Sequence, residues 1–165
     1  MLYLLSMFPW FRKKEETKET EKKAYGCSCE ICRFSSEVDK RITDAETRER
    51  VKAFVWLPSR VNKIDSEKAL EEAKKYENAG NIRSATESYS DAFMGALVKG
   101  TDLAKYANEC VDFLEKTSDT TNYLARINDY KMLLEKHDVA ETLKKAYNDF
   151  LAANPEQEKK GIVGK

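Results

Sequence analysis

The sequence predicts an all-α fold, an antiparallel stack of helical hairpins that forms a short solenoid or bundle after a polar N-terminal leader. Two compositional facts favour helices over a sheet. Of the 165 residues 35% are charged, and the chain has only six Gly and three Pro. In addition, apolar residues recur at intervals of three and four through the second half of the chain, as in helices that bury one face.

Residues 1–35 are predicted to be a flexible leader, because residues 12–23 are almost wholly charged or Thr and have nothing to bury. The leader begins with eleven mostly apolar residues, too few to span a bilayer, which needs about 20. One interpretation is an interfacial membrane tether, with aromatic rings at headgroup depth and cations facing anionic lipid. The docking residues would be Phe8, Trp10, Phe11, Arg12, Lys13 and Lys14. The alternatives are docking into a groove of the chain itself or of a partner, an innocuous tail, or a start at Met7.

Three of the four cysteines, Cys27, Cys29 and Cys32, form a C-x-C-x-x-C cluster. Thiolates at this spacing can converge on one soft metal ion, so the cluster could hold zinc or an iron–sulfur cluster. Thiol redox chemistry and plain reduced thiols are the other interpretations. A closed zinc site needs a fourth ligand, but Cys110 fits the apolar face of a helix and His137 a turn.

A helix is predicted over residues 36–57, since its apolar residues fall on one helical face and Pro58 ends it. Trp56 near its end either docks onto the first hairpin as a lid or stays exposed as a contact site for a partner. The helical domain is therefore predicted to span residues 36–154, with residues 155–165 as a flexible tail.

Five further helices are predicted between residues 66 and 154, each marked by a capping residue. The predicted N-terminal caps are, in chain order, Asp65 or Ser66, Asn81, Thr101 or Asp102, Asp119 or Thr120, and Asp138. Gly100 ends the second helix, Pro155 ends the fifth, and Asp138 with Glu141 forms a capping-box pattern. Connections of two to five residues force neighbouring helices to run antiparallel.

Small and aromatic residues alternate at helical spacing in the first two of these helices: Ala73, Tyr76, Gly80, Ala85, Tyr89 and Ala92. Small residues let two helix backbones approach closely, and a glycine permits the left-handed turn between them. This order resembles the first motif of a tetratricopeptide repeat, a helix–turn–helix unit of about 34 residues. The chain departs from the motif at Ala69 and Glu72, where a large apolar residue is usual, and at Leu97, which replaces the closing Pro.

Two divisions of the remaining chain are open. A strict repeat loses register at the second turn, where Leu114 stands in place of the expected Gly. The alternative begins a new unit near Leu124, closes it at Pro155 and leaves residues 102–116 as an extra helix between two units. Both divisions give five helices after residue 65.

The resemblance implies a non-enzymatic adaptor that docks on another protein or protein complex. In the family, ligand-facing residues lie along the first helix of each unit, which here corresponds to Glu67, Leu70, Lys74, Glu77 and Asn78. One subgroup clamps a chaperone's C-terminal carboxylate with Lys and Asn residues. Because Leu70 and Glu77 interrupt that pattern, this activity is not predicted; the alternative interpretation of all five residues is an ordinary solvated face. The tyrosines Tyr76, Tyr89, Tyr106 and Tyr130 are interpreted as core aromatics with their hydroxyls at the rim.

Two other classes of protein are disfavoured. The 29 Lys and Arg residues equal the 29 Asp and Glu residues in number, so no bulk positive charge is available to hold a nucleic-acid backbone. His137 has no recognisable nucleophilic partner, and no Gly-rich phosphate loop follows a strand, so no enzyme is predicted. The expected location is the cytoplasm, with membrane association if the leader is a tether.

Overall fold

The computed structural model describes residues 28–54, 56–117 and 120–155, which form eight helices and no strand. The helices are α1 (Glu30–Arg41), α2 (Ala45–Phe54), α3 (Pro58–Val61), α4 (Ser66–Asn78), α5 (Ile82–Lys99), α6 (Leu103–Lys116), α7 (Thr120–Glu135) and α8 (His137–Ala153). The predicted all-α class is confirmed, and so are the five helices after residue 65. The predicted membrane-docking residues at positions 8–14 lie outside the described residues.

Three of the predicted N-terminal caps are confirmed. The side chains of Asp65, Asn81 and Asp102 each accept a hydrogen bond from the backbone N–H three residues further on. A cap of this kind typically contributes about 1 kcal/mol to stability. The prediction of a capping box at Asp138 and Glu141 is wrong, because Lys136 occupies the cap position of α8 and Asp138 lies in its first turn.

Glycines with positive φ close two of the helices as predicted. Gly80 has a φ of +70° at the turn after α4, where the N–H of Asn81 reaches back to the carbonyl of Tyr76 at 2.9 Å. Gly100 has a φ of +66° at the end of α5. Other residues rarely adopt this conformation, so these two glycines fix where the helices stop.

The helices pair as two successive hairpins. Helices α4 and α5 pack against each other most extensively, and α6 and α7 form a second pair. Residues 102–116 are therefore the first helix of a second hairpin, and the division that makes them an extra helix between units does not fit. The second turn begins without a glycine, because Thr117 is extended and its hydroxyl donates to the carbonyl of Leu114 at 2.9 Å.

The N-terminal region differs from the prediction of one helix over residues 36–57. Helix α1 begins at Glu30, within the predicted leader, and the chain leaves the helix at Ile42. Asp44 then starts α2, since its carboxylate accepts from the N–H of Thr47 at 2.8 Å. Pro58 does not end a helix but begins α3, where its missing N–H has no cost.

Helix α1 is fixed to α8 at the other end of the chain. Phe34 is fully buried, and its ring centroid lies 4.2 Å from that of Tyr147 and 5.4 Å from that of Phe150. Arg41 forms an ion pair with Asp149 at 2.9 Å on the rim of this contact. The N-terminal helices are therefore part of the core, and the predicted boundary at residue 36 is too late.

Trp56 is half-buried. It is hydrogen-bonded to α8, and Arg60 connects it to α5 of the first hairpin. Its backbone N–H donates to the hydroxyl of Tyr147, and that hydroxyl donates to its carbonyl, both at 3.0 Å. The guanidinium of Arg60 lies 4.7 Å from the indole ring and binds Asp91 on α5 through both carboxylate oxygens. The neighbouring Leu57 is 42% exposed.

Helix α5 is the centre of the fold. All residues from Ala92 to Val98 are buried, although a surface helix buries only one stripe. Helices α3, α4, α6 and α8 all pack against it. The close approach of α4 depends on Gly95, where an added Cβ would lie 2.6 Å from Ser66 Oγ and 2.9 Å from a methyl of Ile64.

The contact at Gly95 gives a test of the packing. Gly95→Ala should lower the free energy of unfolding by up to about 2 kcal/mol, because an overpacking cost of about 1–3 kcal/mol outweighs a helix-propensity gain of about 1 kcal/mol. Urea unfolding followed by circular dichroism measures the change. Gly95→Ala combined with Ser66→Ala should recover part of the loss, since the nearest clashing atom is removed. A Gly95→Ala protein more stable than the wild type would contradict this account of the α4–α5 contact.

Candidate interaction face

Helices α4 and α6, the first helices of the two hairpins, enclose a small polar hollow of about 280 Å³. Its lining side chains come from α4, α5 and α6: Lys74, Glu77, Asn78, Tyr89, Glu109, Asp112, Phe113 and Lys116. We call these residues, with Glu67 and Lys105 beside them, the α4–α6 face. Because the two helices turn their apolar sides towards the core, their polar sides meet at this face.

Two stacked rings form the floor of the hollow. Tyr89 from α5 and Phe113 from α6 are both buried, with ring centroids 4.8 Å apart and an interplanar angle of 26°. The hydroxyl of Tyr89 donates to the carboxylate of Glu77 at 2.6 Å. Burial, with the hydrogen bond to Glu77, raises the pKa of Tyr89 well above its ordinary value, so the hydroxyl remains a donor.

Ion pairs connect α4 to α6 across the face. Lys74 Nζ lies 3.0 Å from Glu109, and Lys105 Nζ lies 2.7 Å from Glu67. Glu67 also accepts from the hydroxyl of Tyr106 at 2.7 Å. The hydrogen bonds from Lys105 and Tyr106 hold the pKa of Glu67 below its ordinary value. Such exposed pairs are individually weak, but they fix the spacing of the two helices at the face.

Asp112 and Lys116 are the charged residues of the face that are best placed to contact a partner. Both side chains are exposed, and they lie one turn apart on α6. Within the parts of the chain that the structure describes, neither makes an ion pair with another helix. They can therefore contact an incoming partner without first breaking a contact within the fold.

The structure brings four of the five residues implied by the repeat resemblance to this face: Glu67, Lys74, Glu77 and Asn78. The prediction that Leu70 contacts a partner is wrong, because Leu70 is only 5% exposed and packs in the core, where no partner can reach it. The sequence interpretation missed the residues on α6, since it assigned ligand-facing positions in the first hairpin only. No signal in the sequence marks these residues, because it is the packing of α6 beside α4 that brings them to the face.

The tyrosines follow the prediction in part. Tyr89 and Tyr106 are buried with their hydroxyls bound to carboxylates at the rim, as predicted. Tyr76 is 39% exposed and is not a core residue. Tyr130 is fully buried, but its hydroxyl is not at the rim; it forms a 2.8 Å hydrogen bond with Ser90 inside the core.

The residues of the cysteine cluster are only partly described. Cys29 is exposed and Cys32 is half-buried, while Cys27 lies outside the described residues. Among the described residues, no group of three or more His, Cys, Asp and Glu side chains is placed to hold a metal ion. Cys110 is buried on α6 as predicted, and burial raises the pKa of its thiol to about 12. The metal site at Cys27, Cys29 and Cys32 stays a prediction.

The charge on Glu67 gives a pH test of the face. Its pKa is lowered in the folded state, so its stabilisation is complete above the ordinary Glu pKa of about 4.3 and is lost as the pH falls through the lowered value. Glu67→Gln should therefore melt below the wild type at pH 7, and the difference should shrink by about pH 3. Thermal melts at both pH values measure this. Glu71→Gln, at another exposed position on α4, is the matched control and should show little difference. A Glu67→Gln difference independent of pH would contradict the role of the carboxylate.

No family model, no curated protein and no solved structure matches this chain. Among the described residues, no helix is long and apolar enough to cross a bilayer. The architecture is compatible with a helical-repeat fold, and it is the packing of α4–α5 and α6–α7 that supports this statement.

Proposed function

We propose that this protein is a non-enzymatic interaction module, an adaptor whose α4–α6 face binds a segment of another protein or protein complex. The observation that carries the proposal is that two successive hairpins line the same hollow. Their first helices present Lys74, Asn78, Asp112 and Lys116 around a rigid aromatic floor.

The size and polarity of the hollow favour a side chain of a partner over a separate small molecule. Typical small-molecule sites are about 300–1,000 Å³ and mainly apolar. This hollow has about 280 Å³ and is lined mostly by charged and amide groups. Exposed charges of both signs, such as Asp112 and Lys116, suit the polar rim of a protein interface, where they set specificity and association rate.

Exchanging the two charges on α6 tests the proposal. The variant Asp112→Lys with Lys116→Asp keeps the composition and the one-turn spacing but reverses the field at the face. Reversed charges at an interface cost several kcal/mol, so we expect at least a tenfold loss of a bound partner. Affinity purification of the full chain from its native cells, with quantitative mass spectrometry, measures the loss.

A matched control is the exchange Arg83→Glu with Glu87→Arg on α5. This pair has the same one-turn spacing, its side chains are 91% and 62% exposed, and neither residue lines the face. The control variant should retain the partners of the wild type, and circular dichroism should show both variants folded. If the α6 exchange and the α5 exchange recover the same proteins in equal amounts, the α4–α6 face is not the binding site.

A further inference from the structure

Cys29 and Cys32 occupy special positions at the start of α1. Cys29 is the N-cap residue, with an extended backbone, and Cys32 lies in the first helical turn. Cys29 is exposed, whereas Cys32 is half-buried and lines a cleft of about 600 Å³ between α1 and α8. The chain thus presents one cysteine to solvent and a second one just behind it.

Local geometry allows these two cysteines to form a disulfide. Side chains three residues apart on a helix have Cβ atoms about 5–6 Å apart, and a disulfide needs about 3.5–4.5 Å. Cys29 is a cap with non-helical dihedral angles and precedes the first residue of α1, so its backbone can turn towards Cys32 without unwinding the helix. By contrast, Cys110 is on α6, 1% exposed, and its Sγ is hydrogen-bonded to the carbonyl of Tyr89 at 3.1 Å.

The turn that carries the pair is anchored on both sides. Glu30, between the two cysteines, accepts from the N–H of Ser59 at 2.6 Å and from its hydroxyl at 2.8 Å. Phe34, one turn further on, is fully buried against α8. A turn held in this way loses little entropy when its two sulfurs join, which favours the intramolecular bond over mixed disulfides.

We propose that Cys29 and Cys32 are a reversible dithiol–disulfide pair that exchanges with a low-molecular-weight disulfide of the glutathione type. The thiolate of Cys29 attacks one sulfur of that disulfide, forms a mixed disulfide and releases the first thiol. The thiolate of Cys32 then attacks Cys29 Sγ, which forms the intramolecular bond and releases the second thiol. Two protein thiols are oxidised, and one disulfide is reduced to two thiols.

Thiol counting on the full chain tests this reaction. The reduced protein is equilibrated in buffers of increasing oxidised-to-reduced glutathione ratio, trapped with a maleimide and analysed by intact-mass spectrometry and peptide mapping. The wild type should lose two thiols in one step, with the bond assigned to Cys29 and Cys32. Cys27→Ser and Cys110→Ser should keep this step, and both Cys29→Ser and Cys32→Ser should abolish it.

The order of attack gives a second readout. Cys32→Ser should accumulate a glutathione adduct on Cys29, because the second thiol that would release it is missing. Cys29→Ser should carry roughly tenfold less adduct on the half-buried Cys32 at the same time point. Ser is a good N-cap residue, so Cys29→Ser should keep the wild-type melting temperature, which excludes unfolding as the cause.

Three results would overturn the proposal. The first is a disulfide that disappears in Cys27→Ser but persists in Cys32→Ser. The second is a wild type that collects only glutathione adducts and never the internal bond. The third is stoichiometric zinc in the protein purified under reducing conditions, lost on replacement of Cys27, Cys29 or Cys32, which would assign the cluster to a metal. None of these results involves α6, so the adaptor function is tested separately.

Discussion

The burial of α5 on every side from Ala92 to Val98 is the constraint on which the rest of this structure depends. A helix with seven successive buried residues from Ala92 to Val98 needs neighbours all round, and Gly95 leaves room for the side chains of Ser66 at the start of α4 and of Ile64 just before it. Helices α4 and α6 then cover one part of α5, and α3 and α8 cover others. Since α4 and α6 bury only one side each, their polar sides remain outside and meet at the α4–α6 face.

A stack of hairpins leaves its terminal helix with an uncovered apolar side, and repeat proteins need a cap there. In this chain the cap of α8 comes from the N-terminus. Phe34 packs between Tyr147 and Phe150, and the hydroxyl of Tyr147 binds both backbone groups of Trp56. The N-terminal helices thus close the end of the stack, so α1 belongs to the same cooperative core as the hairpins.

The sequence predicts well those features whose cause is local. The caps at Asp65, Asn81 and Asp102 were predictable because each bond spans only three residues. The start of α1 was not, because nothing near Phe34 in the chain reveals that its partners are on α8. The prediction for Leu70 fails for a related reason. The resemblance to the repeat family assigned it a ligand-facing position, whereas its apolar side chain is buried in the core.

The candidate site shows the same division between local and tertiary causes. Four of its residues on α4 were implied by the resemblance of the first hairpin to a tetratricopeptide repeat. The residues on α6 were not, because Thr117 makes the start of the second turn without the glycine that would have marked a repeat. Polar residues such as Asp112 and Lys116 carry no periodic signal, so only the packing of α6 beside α4 brings them to the face.

A chain of contacts runs from the start of α1 towards the interaction face, but we do not expect it to couple the two sites. Glu30 binds Ser59, the neighbouring Arg60 binds Asp91, and Asp91 is on α5 near Tyr89 of the hollow floor. Coupling between sites requires an element with two arrangements that both sites bias. Close packing around residues Ala92 to Val98 disfavours a second arrangement of α5. The proposed bond between Cys29 and Cys32 would be confined to the start of α1, so we expect what the α4–α6 face presents to stay the same when it forms.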